Sequence, residues 1–343
     1  MKKTCIQLIM GFVLLSGCNE PDTIVTNIVN PDGSVTRRVE MRSSNDEFLP
    51  ENNKVPVDST WMTEKSIEVS ETGDTIWIVI AEKVFPEPGL INSDYIGGGD
   101  ANAGFSRSVT FRKSFRWFNT VYRFSESIDR YLPYGYPLAD YVKGEALDFF
   151  LQPDSVRESN SNGPDSLHYR ALEDTLQTMV ECWVLRGLID GWMKLTVVKL
   201  NEADVDDEFM NNFPGFESII TECSKLDEYE FDDVLLRLFG EETMDMYGEI
   251  FKAAEDSIGV DYGACSSFNS YTVRTIMPGT LIKSNGYVID DRIVAWPAKS
   301  ELFMFEDYEM WAESRIPNSW AWILTILIVL AVPFLITLRR RKK

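Results

Sequence analysis

Apolar and polar residues alternate from Thr23 to Val29 and again from Ser34 to Met41, on either side of Asn30-Pro31-Asp32-Gly33. Period-two alternation around Pro-Asp-Gly predicts a β-hairpin. Ser43 to Asp58 is polar, contains Pro50 and Pro56, and reads as a loop. Trp61 to Val69 and Thr75 to Phe85 read as strands, and the unbroken run Ile76-Trp77-Ile78-Val79-Ile80 predicts burial on both faces. Gly97-Gly98-Gly99 to Gly104 lacks the Gly-Lys-Ser/Thr of a phosphate loop and reads as a linker. Arg107 to Ser127 predicts a long strand or tight strand pair. Val109, Phe111, Phe115 and Trp117 share one parity, and Phe118, Tyr122 and Phe124 the other, so a bulge or bend belongs near Trp117-Phe118.

From about Arg130 the period changes. Pro137 to Leu151 is a short helical candidate, and Pro153 to Pro164 reads as a polar loop. Asp165 caps a predicted helix to about Leu200. Leu172, Leu176, Met179, Val180, Trp183, Val184, Gly187 and Leu188 form its broad apolar stripe. Phe216 to Leu226, Asp232 to Phe239 and Glu242 to Ile258 predict further helices. The strand signal then returns. Tyr271 to Ile276 is closed by Met277-Pro278-Gly279, and Leu281 to Lys283 and Tyr287 to Ile289 flank Ser284-Asn285-Gly286, which predicts a second hairpin. Ile293 to Trp296 and Leu302 to Ala312 follow. The pattern predicts an α+β fold, in which one antiparallel sheet combines N- and C-terminal strands around an inserted helical block.

Both ends of the chain read as membrane signals. Trp320 to Leu338 carries no charge and is about 19 residues long, or about 28 Å as a helix. Trp320 and Trp322 stand at its entry and Arg339, Arg340, Arg341, Lys342 and Lys343 close it, which predicts a transmembrane helix with a cytoplasmic tail. At the other end, Lys2-Lys3, an apolar Ile6 to Leu15 and Leu15-Ser16-Gly17-Cys18 read as a lipoprotein signal with lipidation at Cys18. The expected organisation is a signal at 1–17, a β-rich part at 18–129, a helical insertion at 130–262, closing strands at 263–315, a spanning helix at 316–338 and a tail at 339–343. This places the chain in a bacterial inner membrane with its main domain in the periplasm.

The net charge of −21 speaks against nucleic acid, and the cations of the signal and tail leave the part between them more acidic still. Cys182, Cys223 and Cys265 allow one disulfide or three thiols, and their spacing is wrong for zinc. His168 is the sole histidine and stands without a nucleophile signature. The acidic runs Asp204 to Glu208 and Asp227 to Asp233 lack the spacing of a calcium loop. Neither catalysis nor a metal or other cofactor is expected. The local basic departure is Arg107, Arg112, Lys113, Arg116 and Arg123, interleaved with Phe111, Phe115, Trp117, Phe118, Tyr122 and Phe124. Cations beside aromatics suit a phosphate headgroup over an apolar wall, which makes Arg112, Lys113, Arg116, Trp117 and Arg123 the candidate ligand residues.

The closing motifs Met277-Pro278-Gly279, Ser284-Asn285-Gly286, Asp290-Asp291 and Val294-Ala295-Trp296 stand just before the apolar run and basic tail. The front has the lipobox, then Asp32-Gly33-Ser34 with Val35, Thr36 and Val39. Together these features resemble LppM-like bacterial lipoproteins. The resemblance implies a lipid-transfer-like α+β fold and lipid binding at the envelope. It covers strand ends and anchors; the helical block from 130 to 260 lies outside it, and no site residue transfers position by position. The expected function is therefore a non-enzymatic binding module for a lipid or other apolar ligand, with membrane lipids as partners. The alternative is an interaction subunit whose acidic helical block docks on an envelope protein.

Overall fold

The computed structural model describes residues 21–46, 48, 54–69, 73–97, 105–205, 207–225 and 231–341. The signal segment, Cys18, the Gly98 to Gly104 loop and Lys342-Lys343 lie outside the described residues, as do the side chains of Arg339, Arg340 and Arg341.

The first hairpin forms where the alternation places it. Strands β1 (Asp22–Val29) and β2 (Val35–Ser43) pair antiparallel with Val29 opposite Val35. Asp32 accepts hydrogen bonds from the Ser34 amide and hydroxyl, which holds the turn. Strands β3 (Met62–Val69) and β4 (Thr75–Phe85) add to the β2 edge. A short helix α1 (Leu90–Gly97) follows. The second strand pair is β5 (Arg107–Arg116) and β6 (Asn119–Ile128), with the parity switch at Trp117-Phe118 realised as a tight turn.

In the helical block, α2 (Glu145–Phe150) is followed by α3 (Asp154–Ser161), where a loop was expected. Pro153 stands at the N-cap of α3, where its missing N–H costs nothing. Arg157 ties α3 to the next helix through Glu173 at 3.0 Å. Helix α4 (Ser166–Glu202) starts directly after Asp165, although that side chain makes no capping hydrogen bond. Short α5 (Asp207–Asn211), α6 (Phe216–Lys225) and α7 (Phe231–Ser266) follow. Helix α7 is broken at Gly240, whose φ of 77° and ψ of 167° are non-helical, between the two helices that the periodicity predicts.

The returning strands are β7 (Tyr271–Ile276), β8 (Thr280–Ser284), β9 (Tyr287–Val288), β10 (Ile293–Ala298) and β11 (Tyr308–Pro317), with a one-turn helix α8 (Ser300–Phe303) before β11. Two sheets form where one was expected. The first has seven strands in the order β3-β4-β2-β1-β7-β10-β9, and the second has four in the order β5-β6-β11-β8. The β1–β7 pair is parallel, against the expectation of a wholly antiparallel sheet. Parallel neighbours need a long crossover, and the helical block supplies it.

Ser284-Asn285-Gly286 does not close a hairpin. It carries the chain from one sheet to the other, because β8 pairs with β11 and β9 pairs with β10. Asn285 holds this corner by donating to Glu309 O and accepting from the Trp311 amide and Trp296 Nε1. A Cβ on Gly286 would lie 2.4 Å from the Trp296 indole, so only glycine fits there.

The last element is helix α9 (Ser319–Arg341). Among the described residues no helix is long and apolar enough to cross a membrane, which overturns the transmembrane part of the expected fold.

The two sheets meet across a buried ionic cluster. Arg37 on β2 donates to both carboxylate oxygens of Glu126 on β6, at 3.1 and 3.3 Å, and to the Tyr95 hydroxyl at 2.7 Å. Asn27 on β1 donates to Glu126 at 3.2 Å. Arg107 on β5 lies 3.6 Å from the same carboxylate and bonds to the Tyr271 hydroxyl. Arg37 and Glu126 have side chains only 1% exposed. Burial opposes ionisation of Glu126, but Arg37 and then Arg107 outweigh it and hold the carboxyl below its ordinary value of 4.5.

Replacing Glu126 by Gln should therefore cost about 3–5 kcal/mol, because two buried guanidinium groups lose their one acid. Urea unfolding at neutral pH measures it. Because the folded value lies below the unfolded one, the contribution of Glu126 is full above pH 4.5 and is lost as pH falls through the folded value. The Glu126→Gln chain should lack that part of the acid dependence.

Candidate binding cleft

Helix α4 uses its apolar stripe in two ways. Trp183, Gly187 and Gly191 dock on the closing segment of the fold. The Phe305 ring sits where a Cβ on Gly187 would be, at 2.2 Å, and Tyr134 fills the corresponding space at Gly191. Glycine inside a helix costs roughly 1 kcal/mol against alanine, and here it permits close approach of two aromatic rings. Trp183 packs edge-on against Phe305 with centroids 4.9 Å apart and donates its Nε1 hydrogen to Tyr136 O at 2.7 Å.

The other part of the stripe runs along Leu176, Val180, Val184 and Leu188, each one helical turn from the next. These residues form one wall of a cleft of about 540 Å³. Phe150 from α2, Tyr262 from α7, then Phe268 and Met304, supply further apolar surface. The rim is polar, with Asp154, Arg157, Glu173, Glu181, Lys299 and Glu301. The volume lies within the roughly 300–1,000 Å³ of small-molecule sites, and an apolar wall with a few polar groups is their usual make-up.

The rim groups have definite states. Arg157 is engaged by Glu173 at 3.0 Å and Asp154 at 3.4 Å. Lys299 is 7% exposed, donates to Phe150 O at 3.1 Å and stands 3.4 Å from the centre of the Phe150 ring. Burial, opposed in part by Glu301, brings its ammonium down to about 8. Burial also pushes the Cys265 thiol and the Tyr262 hydroxyl up to about 12, with Glu301 adding to both. Both stay protonated at neutral pH. Four carboxylates against two cations make the rim net acidic, so it favours an uncharged or cationic polar end on a ligand over an anionic one.

The cleft is not where the interleaved cations and aromatics of the sequence lie. Arg112 and Arg123 stand opposite each other in the β5–β6 ladder. Arg123 pairs with Glu313 at 3.1 Å and Glu309 at 3.4 Å and covers the Trp311 ring at 4.3 Å. Lys113 reaches Pro31 O at 2.9 Å. Arg116 is exposed at the hairpin end, and Trp117 Nε1 donates to Thr325 Oγ1 of α9 at 2.8 Å. Arg107, grouped with these cations by sequence, is buried in the ionic cluster instead. Trp320 and Trp322 are about half exposed on the first turn of α9. His168 is exposed and bonded to Glu145 at 2.8 Å. Cys182 and Cys265 carry free thiols, so no disulfide joins any two of Cys182, Cys223 and Cys265.

Sequence reasoning found the apolar stripe of α4 but neither the cleft that part of it lines nor the polar rim. Lys299 follows a strand and gives no periodic signal. Arg37 and Glu126 had a signal: each sits in phase with buried apolar neighbours, Val35 and Val39 for one, Phe124 and Ile128 for the other.

No family model matches the chain, and no curated protein matches it. Among solved structures, one that it resembles is the NMR structure of the folded domain of Mycobacterium tuberculosis LppM. That likeness covers 87% of this chain and 91% of the other, with 9% identity and a TM-score of 0.28. At this score the likeness is distant, and it establishes neither the lipobox nor family membership nor lipid binding for this chain.

Replacing Lys299 by Met should stabilise the fold by about 1–3 kcal/mol at pH 7, since it removes a buried charge whose folded-state proton affinity is depressed. The wild-type penalty is full below pH 8 and disappears as pH approaches 10.5, where the unfolded lysine also loses its proton. Urea unfolding of both chains at pH 7 and at pH 10 should show the gap closing at the higher pH.

Proposed function

We propose that this protein is a binding module that holds a ligand with an apolar body in the cleft beside α4. The observation that carries this reading is the continuous wall of Leu176, Val180, Val184 and Leu188 facing about 540 Å³ of space. A helix normally buries such a stripe against another element. Here part of it is left to line a concavity, which is the arrangement of a ligand site. The acidic rim selects an uncharged or cationic polar end, and a lipid or other apolar molecule of that kind fits the chemistry. The role is retention rather than catalysis, and membrane lipids are the natural source of such a ligand. The site of action that goes with it is the bacterial envelope, as the lipobox-like segment at Cys18 suggests.

The neutral dye N-phenyl-1-naphthylamine tests the cleft directly. It should bind saturably at one site, and more tightly than the anionic 1-anilinonaphthalene-8-sulfonate. Val184→Trp, which fills the cleft from its wall, should weaken the neutral dye at least tenfold while leaving the unfolding midpoint within a few degrees. Absence of saturable binding, or equal affinity in the Val184→Trp chain, would show that the cleft holds no apolar ligand.

A further inference from the structure

The tip of the β5–β6 hairpin and the first turns of α9 form a second aromatic cluster, remote in chemistry from the cleft. Phe115 stacks on Trp320 with ring centroids 6.2 Å apart, Trp117 meets Trp320 edge-on at 5.5 Å, and Phe118 lies 4.3 Å from Trp322. Packing together does not hide these rings. Phe115 remains 61% exposed, Trp117 44%, Trp320 52% and Trp322 50%. Apolar surface gathered in the open marks a place of contact with something else.

The cluster is built as one body. Asn318 donates from Nδ2 to Arg116 O at 2.8 Å and to Trp117 O at 3.2 Å, and accepts from Thr120 Oγ1 at 2.9 Å. Its backbone amide donates to Phe118 O at 2.9 Å. Trp117 bonds onward to Thr325. One asparagine side chain thus fixes the hairpin tip to the start of the helix.

Two further observations identify the occupant. First, the exposed apolar surface continues from the cluster around α9: Ile326, Leu327, Val329 and Leu330 are each more than half exposed. These positions span an arc of about 160° of the helix at 3.6 residues per turn, a face wider than the stripe that a protein groove covers and suited to lying against a lipid interface. Second, cations flank the rings. Arg112 and Arg116 are exposed, and among the described residues no ion pair engages either of them. Indole rings beside arginines match the headgroup layer of a bilayer, where rings meet acyl chains and guanidinium groups meet phosphates. The acidic remainder of the chain does not oppose this contact at distances beyond the screening length of about 8–10 Å.

We propose that the hairpin tip, through Phe115, Trp117 and Phe118, seats together with Trp320 and Trp322 in the interfacial layer of a lipid bilayer, with Arg112 and Arg116 on lipid phosphates. The β5–β6 hairpin is then a membrane-contacting element of the folded domain. Its orientation to the bilayer follows from the Asn318 joint.

Tryptophan quenching separates this from a surface that faces water. Full-length chain is reconstituted into phosphatidylcholine vesicles containing about one-third phosphatidylglycerol, with acyl chains either plain or brominated near the headgroup. Wild type, Trp117→Phe and Trp61→Phe are compared; Trp61 is buried against Phe85 in the seven-stranded part of the fold. If Trp117 lies in the bilayer interface, its removal lowers the fraction of fluorescence that bromine quenches, whereas removal of Trp61 raises it. In a second arm, Arg112→Gln and Arg116→Gln should each weaken binding to these vesicles about fivefold and leave binding to pure phosphatidylcholine unchanged. A quenched fraction that stays level or rises in Trp117→Phe, or a chain that does not associate with vesicles, overturns the proposal.

Discussion

The buried carboxylate of Glu126 is the constraint on which the arrangement of the sheets depends. It takes hydrogen bonds from Arg37 and Asn27 on one sheet while Arg107 flanks it on its own, so the two sheets are tied at a point that water does not reach. A buried pair of this kind contributes little net stability against a hydrophobic substitute. What it imposes is geometry, because any other register of β2 against β6 strands a charge in the core. The second arginine would seem one cation too many. The rings of Tyr95, Phe268 and Tyr271 lie within 4.3 to 5.7 Å of its guanidinium and spread the field of the extra charge over aromatic faces.

With the sheets locked, the helical block has one place to go. The crossover that joins parallel β1 and β7 passes through it, and α4 meets the segment around Phe305 through two glycines. Beside that close approach, the adjoining row of α4 from Leu176 to Leu188 lines the cleft, with Val180 and Val184 half-buried between the buried Leu176 and Leu188. The glycines and the cleft are therefore linked. A bulkier residue at position 187 would displace the Phe305 ring and change the cleft's opposite wall at Met304.

The hairpin tip answers to a different constraint. Strand β11 runs directly into α9, and β6 is its ladder neighbour, so the β5–β6 turn lies beside the helix start by topology. Asn318 converts that proximity into a joint. Phe115 and Trp117 take no interior positions, and on the outer half of β5 every residue from Arg112 to Arg116 is exposed.

Much of this was legible in the chain itself, for a local reason. The β1–β2 hairpin, the bounds of β4 and β7, the start of α4 after Asp165 and the interruption near Gly240 all follow from periodicity and turn chemistry within a few residues. The apolar stripe of α4 was legible too. Its division between a docking face and a cleft was not, since that depends on Phe305, far along the chain. Ser284-Asn285-Gly286 has the composition of a hairpin turn. Only the pairing of β8 with β11 and of β9 with β10 makes it a corner between sheets. Arg37 and Glu126 stand 89 residues apart, so phase within each strand could mark them as buried, but only the packing of two sheets could make them partners. Length and charge at the C-terminal run suggested a spanning helix, whereas the described structure contains none long and apolar enough to cross. The short-range code determined the elements; long-range pairing decided the number of sheets, the cleft and the company of the hairpin tip, because those rest on contacts between residues that the chain keeps far apart.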